Sequence, residues 1–201
     1  MLYRISNTCD HNKPFDQKRA MTYSNHMFSP SQKLSAEEII SVIQNNTFVS
    51  SLNATGLELR DIDISGKTFY GCCFFRARFT NVIFEKCRIR MCFFDGATFQ
   101  DCNLQGSDIQ FSCFAGSQMT NTLFTNSDLL HNNFNGLLAS NSKFDDSDLY
   151  NSRFVLATLK RTSFINCNVK KTMYYHTLRE LVSFKSSNTR EAIWGKGEDP
   201  E

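Results

Sequence analysis

From Leu59 to Tyr174 a centre, usually a large apolar residue, stands at every fifth position, twenty-four times without an insertion. Only Ala139 in that series is small. Neither regular element keeps such a beat. In a helix of 3.6 residues per turn, steps of five rotate by about 140° past whole turns, so the apolar residues would scatter around the axis. In a straight strand side chains alternate with period two, so an odd period would point successive residues to opposite faces. A chain that turns a corner once in every five residues removes the conflict. The large residue (the centre) and the residue two before it then face inward together.

The flanking positions agree. Two before the centre stand small residues such as Cys72, Ala77, Cys92, Ala97, Cys102, Ser107 and Ser127. Two after it stand Gly66, Gly71, Gly96, Gly106, Gly116 and Gly136, with Asn81, Asn121, Asn126, Asn141, Asn151 and Asn166. Gly and Asn tolerate positive φ, which tight corners demand. Phe111 departs from this rule.

Aligning centres at a spacing of twenty sorts them by type. One column reads Phe74, Phe94, Phe114, Phe134, Phe154, Tyr174, and another Phe69, Ile89, Ile109, Leu129, Leu149, Val169. A spacing of fifteen would mix aromatic and aliphatic residues. Four repeats therefore close a square coil, and twenty-four predict about six coils, a rod of roughly 29 Å at ~4.8 Å per stacked strand. The 19 Phe against one Trp have their use here, as columns of rings filling the bore.

On these residues the chain resembles the pentapeptide-repeat family, whose pattern is a small residue, often Asp or Asn, then Leu or Phe, then two polar residues. The resemblance covers about residues 57–176. It implies an all-β solenoid, a right-handed quadrilateral β-helix, here of about six coils with short helical caps. The handedness comes from the resemblance, not from the counting.

Outside the beat the chain changes character. Residues 1–34 are polar and aperiodic and are expected to form a flexible arm, although Phe15, Tyr23, Met27 and Phe28 offer apolar groups that would suit docking on the rod. Ser35-Ala-Glu-Glu38 is a capping box ahead of Ile39, Ile40, Val42 and Ile43, which predicts a capping helix over 35–46. The β-helix is expected over 47–176, because Arg179 falls on a centre position. A capping segment and tail, helical or irregular, are expected over 177–201. An open solenoid end needs sealing. Leu178, Leu181, Phe184 and Trp194 suit either that or a homodimer through the C-terminal end, which members of the family form; sealing is the favoured reading.

Nothing in the sequence assembles an active site. The four His are dispersed, and Cys9 with His11 has no convincing metal-ligand spacing. No phosphate loop or nucleophile motif appears, so neither enzyme activity nor a cofactor is expected. No run approaches the length of a membrane span. Residues 1–19 lack the apolar stretch of a secretory signal, so the eight Cys are expected as reduced thiols in a cytoplasm. Cys72, Cys87, Cys92, Cys102 and Cys167 read as small inward residues. A Cys72–Cys92 disulfide is disfavoured, because parallel side chains ~4.8 Å apart suit its short Cβ separation poorly.

Function must then lie outside the rod. The quinolone-resistance members of the family mimic duplex DNA with strongly acidic rods and bind type II topoisomerase. Here residues 57–176 carry 11 Asp plus Glu against 13 Lys plus Arg. One acidic ladder remains, Asp108, Asp128 and Asp148, at a position where the family favours Asp anyway. The stronger signal is apolar. Tyr70, Met91, Phe111, Leu130 and Tyr150 are expected along one face, with Phe75, Phe93, Val155 and Leu156 on its neighbour. Such a line suggests either a docking surface for another protein or a bed for the N-terminal arm. The sequence thus points to a protein-binding scaffold with an unidentified partner. No direct nucleic-acid or membrane binding is expected. The alternatives are a DNA-mimic regulator of gyrase or topoisomerase, and a secreted bacterial effector.

Overall fold

The structure is a computed structural model and describes residues 34–200. The proposed arm, apart from Leu34, and the Cys9–His11 pair lie outside the described residues. The five-residue unit owes its shape to its corner. Twenty-one non-glycine residues and seven glycines hold positive φ at every fifth position from Ser51 to Ser186. A Cβ in this region costs about 1–2 kcal/mol, most for branched side chains. No Val, Ile or Thr stands at any corner.

Four corners close a coil, so each strand meets its successor twenty residues on, always in parallel. The strands are β1 (Phe48–Ser50), β2 (Glu58–Asp63), β3 (Thr68–Tyr70), β4 (Arg78–Ile83), β5 (Arg88–Arg90) and β6 (Thr98–Gln100). They continue as β7 (Asp108–Gln110), β8 (Gln118–Thr120), β9 (Leu138–Ser140), β10 (Thr158–Lys160) and β11 (Leu178–Glu180). One sheet has the order β1-β3-β5-β7 and the other β11-β10-β9-β8-β6-β4-β2. Val49 pairs with Phe69 and Phe79 with Phe99, the register that the column sorting predicts. The result is a right-handed, roughly quadrilateral β-solenoid of about seven turns.

That is one coil more than the expected six. The beat also runs through Val49 and Ala54 before Leu59, both buried, and through Arg179 and Phe184 after Tyr174. The coil does not stop near His176, because Leu178–Glu180 pairs with Thr158–Lys160. Arg179 can occupy a centre here because no further coil covers it. Its guanidinium lies 4.9 Å from the Trp194 ring centroid and donates to the Glu198 carbonyl. A helical C-terminal cap is likewise absent from the described residues; the segment holds one 3-10 turn, Thr189–Glu191.

The core is the set of columns. Phe74, Phe94, Phe114, Phe134 and Phe154 stack with centroids 4.8–5.0 Å apart, and Tyr174 and Trp194 extend the column at 5.3 and 4.6 Å. Most rings also meet the next column edge-on, as Phe144 meets Phe154 at 88°, whereas Phe94 and Phe99 meet at a tilt of 51°. This alternation of offset stacks and T-shapes suits the ring quadrupole. Ala139 is no defect. The residue two before it is Leu137, fully buried, so large and small have exchanged places within one repeat. Leu52 and Ala54 make the same exchange in the first coil.

The small inward residues also carry hydrogen bonds. Ser107 Oγ donates to the Phe84 carbonyl (2.9 Å) and accepts from the Cys87 N–H (3.1 Å). Ser127 and Ser147 repeat the pattern, and Asn132 spans the same two groups with its amide. Backbone groups facing the bore are thereby satisfied. Among the described residues Ser117 Oγ and the Tyr174 hydroxyl are the exceptions: both are buried without a partner. An orphaned hydroxyl costs about 1–3 kcal/mol. Tyr174→Phe, the residue the column otherwise uses, is expected to raise the urea midpoint; a lowered midpoint would show the hydroxyl to be bonded.

At the N-terminal end, helix α1 (Ala36–Asn45) starts in the expected capping box, with Ser35 and Glu38 each bonding the other's backbone. Ile39 and Ile43 are buried. Lys67 donates to the carbonyls of Gln44 (3.0 Å) and Asn46 (2.9 Å), placing a cation at the helix C-terminus.

Candidate protein-binding face

On each strand the residue before the centre and the residue after it both point outward, and the corner follows. Around the centres Ile89 to Val169 this builds three parallel rows. The first reads Arg88, Asp108, Asp128, Asp148, Asn168; the second Arg90, Gln110, Leu130, Tyr150, Lys170; the corner row Met91, Phe111, His131, Asn151, Lys171.

The proposed site residues do not form one strip. Met91 and Phe111 are neighbours on the corner row and stand about half exposed. Leu130 and Tyr150 are neighbours on the second row and partly covered. Tyr70 stands apart, separated from Leu130 by Arg90 and Gln110. Phe111 is 54% exposed and held at φ 53°, where Gly or Asn would be less strained.

The structure adds a residue that the sequence reading left aside. His131 stacks on Phe111 with centroids 4.8 Å apart and planes 4° from parallel. It meets Tyr150 edge-on at 5.7 Å, and its Nδ1 lies 2.9 Å from the Asn151 amide nitrogen. Lys171 Nζ lies 5.4 Å from the Tyr150 ring centroid. The spacing of twenty from Phe111 was the signal that would have found His131. The neighbouring face holds Phe75, Phe93 and Leu156, with Arg76 over the Phe75 ring at 4.9 Å.

The acidic ladder is uneven. Asp108 is paired with Arg88 (3.5 Å) and with Arg90. Asp128 and Asp148 have no such partner among the described residues.

At the C-terminal end Phe184 stacks on Phe164 and Trp194 on Tyr174, continuing the bore. Leu178 and Leu181 point away from it and are 69% and 77% exposed. The five inward thiols are buried and free. Burial pushes Cys87, Cys102 and Cys167 up to about 11. Among the described residues no three His, Cys, Asp or Glu side chains gather to hold a metal, and no helix is long and apolar enough to cross a membrane.

Among sequence families, the one described as pentapeptide repeats matches residues 72–110, in eight copies. The same corners continue on both sides of that stretch. This chain contains pentapeptide repeats. No curated protein matches its sequence. Among solved structures it is similar to HetL, a pentapeptide-repeat protein involved in heterocyst differentiation regulation from the cyanobacterium Nostoc sp. strain PCC 7120. That match has 10% identity and a TM-score of 0.34 and covers 84% of this chain and 100% of HetL. It is also similar to QnrB1, a plasmid-mediated fluoroquinolone resistance protein, with 14% identity, a TM-score of 0.36 and coverage of 70% and 90%. A third is AT2G44920, a pentapeptide-repeat protein from the Arabidopsis thaliana thylakoid lumen, with 15% identity, a TM-score of 0.30 and coverage of 74% and 75%.

Proposed function

We propose that this pentapeptide-repeat protein is a binding scaffold that presents the corner around Phe111 to a partner protein. One observation carries the reading. A large aromatic residue stands exposed at a corner that favours Gly or Asn, and it is stacked on His131 beside Tyr150. Strain at an exposed aromatic position is unfavourable for folding alone and points to use. Aromatic side chains held rigidly on a flat surface are good anchors for an interface. The free, buried thiols suit a reducing compartment, in keeping with a cytoplasmic scaffold.

Phe111→Asp combined with Tyr150→Asp is expected to keep the far-UV spectrum and to abolish capture of a partner identified by affinity pull-down and mass spectrometry. Phe111→Asn gives the corner a residue it prefers and removes only the ring. Capture undiminished by either variant sinks the assignment of this face. A duplex-mimic role would need an unbroken acidic face. Arg88 and Arg90 interrupt the rail, so gyrase supercoiling is expected to proceed unchanged in the presence of this protein.

A further inference from the structure

We propose that the partner segment received by this face is basic, seating Lys or Arg side chains along Asp128, Asp146 and Asp148 and apolar side chains against the Phe111–His131–Tyr150 corner. The proposal rests on the reading of this face as a protein-binding surface and names the chemistry of what binds there.

The geometry joins the two halves. Asp128 and Leu130 flank one centre, Asp148 and Tyr150 the next, and outward residues two apart on a strand are separated by about 7 Å. The carboxylate side opens into a groove of about 360 Å³ lined by Asp128, Asp146 and Asp148 with Asn126, Asn166 and Asn168. The Asn166 and Asn168 amides donate to Asp146 (2.9 Å) and Asp148 (3.0 Å), and the Tyr150 N–H donates to Asp148 (2.9 Å). These bonds orient the carboxylates without neutralising them. Among the described residues no cationic group lies within ion-pair distance of any of the three, whereas Asp108, one coil earlier, holds two arginines. A surface that is apolar on one side and carries unneutralised carboxylates on the other repels phosphate backbones and anionic membranes alike. It attracts a polypeptide that carries both cations and apolar groups.

The test is selection of a random peptide library on phage against the full chain, followed by titration of the selected peptides as synthetic material. Selected peptides are expected to carry Lys or Arg beside apolar residues. Their affinity is expected to fall on the order of tenfold with Asp128→Asn plus Asp148→Asn, to fall similarly with Phe111→Asn, and to weaken as salt rises. Matching circular dichroism and urea midpoints confirm that the variants fold. Peptides that need Phe111 but carry no cations and ignore the Asn variants overturn the basic-partner proposal and leave the binding face standing. Cationic peptides indifferent to Phe111→Asn adhere by charge alone and overturn it too. Recovery of no peptide that depends on either set of residues overturns both readings.

Discussion

Phe114→Ala is expected to remove about 3–5 kcal/mol of stability. Phe114 is fully buried inside its column, between Phe94 at 4.8 Å and Phe134 at 5.0 Å. It also meets Phe124 edge-on at 6.4 Å. Truncation therefore opens a cavity and breaks a stack on both sides at once, and each ring pair adds about 0.5–1.5 kcal/mol beyond its buried area. Coils in a solenoid support only their neighbours, so a central defect weakens the coupling between the two halves. Urea unfolding monitored by circular dichroism is expected to show a lower midpoint and a broader transition. A loss below about 1 kcal/mol would mean that the column does not carry the core.

Raising the pH from 9 to 11 is also expected to destabilise the fold strongly. Burial raises the thiols of Cys87, Cys102 and Cys167 from 9.0 to about 11. An unfolded chain releases those protons near pH 9, whereas the folded one holds them. The raised values contribute stability that is fully present below pH 9 and is lost as the pH rises through 11. Two units correspond to about 2–3 kcal/mol for each thiol. The control is a triple Cys→Ser variant, because Ser107, Ser127, Ser147 and Ser142 already occupy equivalent positions in neighbouring coils. Its alkaline loss is expected to be smaller by several kcal/mol. Equal alkaline slopes for the two proteins would show that the thiols titrate normally.

Much of the fold was legible because the repeat is local. Each five-residue unit turns its own corner, and each coil leans only on the next, so the pattern within one unit repeats the architecture of the whole. The misjudged C-terminal end has a physical cause. A charged residue at a centre signals an end to the core, but Arg179 lies on the last coil, where its guanidinium can turn over Trp194. The serines two before the centre read only as small, yet their hydroxyls bond backbone groups one coil away. That role depends on neighbours that the chain brings together only on closing.

The candidate site was legible in part. Phe111 stood out in the sequence as an aromatic at a corner position. His131 did not, because a lone histidine acquires meaning only when a neighbour twenty residues away stacks against it. The even acidic ladder likewise divided once Arg88 and Arg90 were seen on Asp108. The sequence by itself determined the period, the coil size and the composition of each column, since these follow from steric demands within a few residues. Only the tertiary structure decided which outward side chains meet and which carboxylates gain a cationic partner. Those outcomes depend on contacts between coils that no single repeat contains.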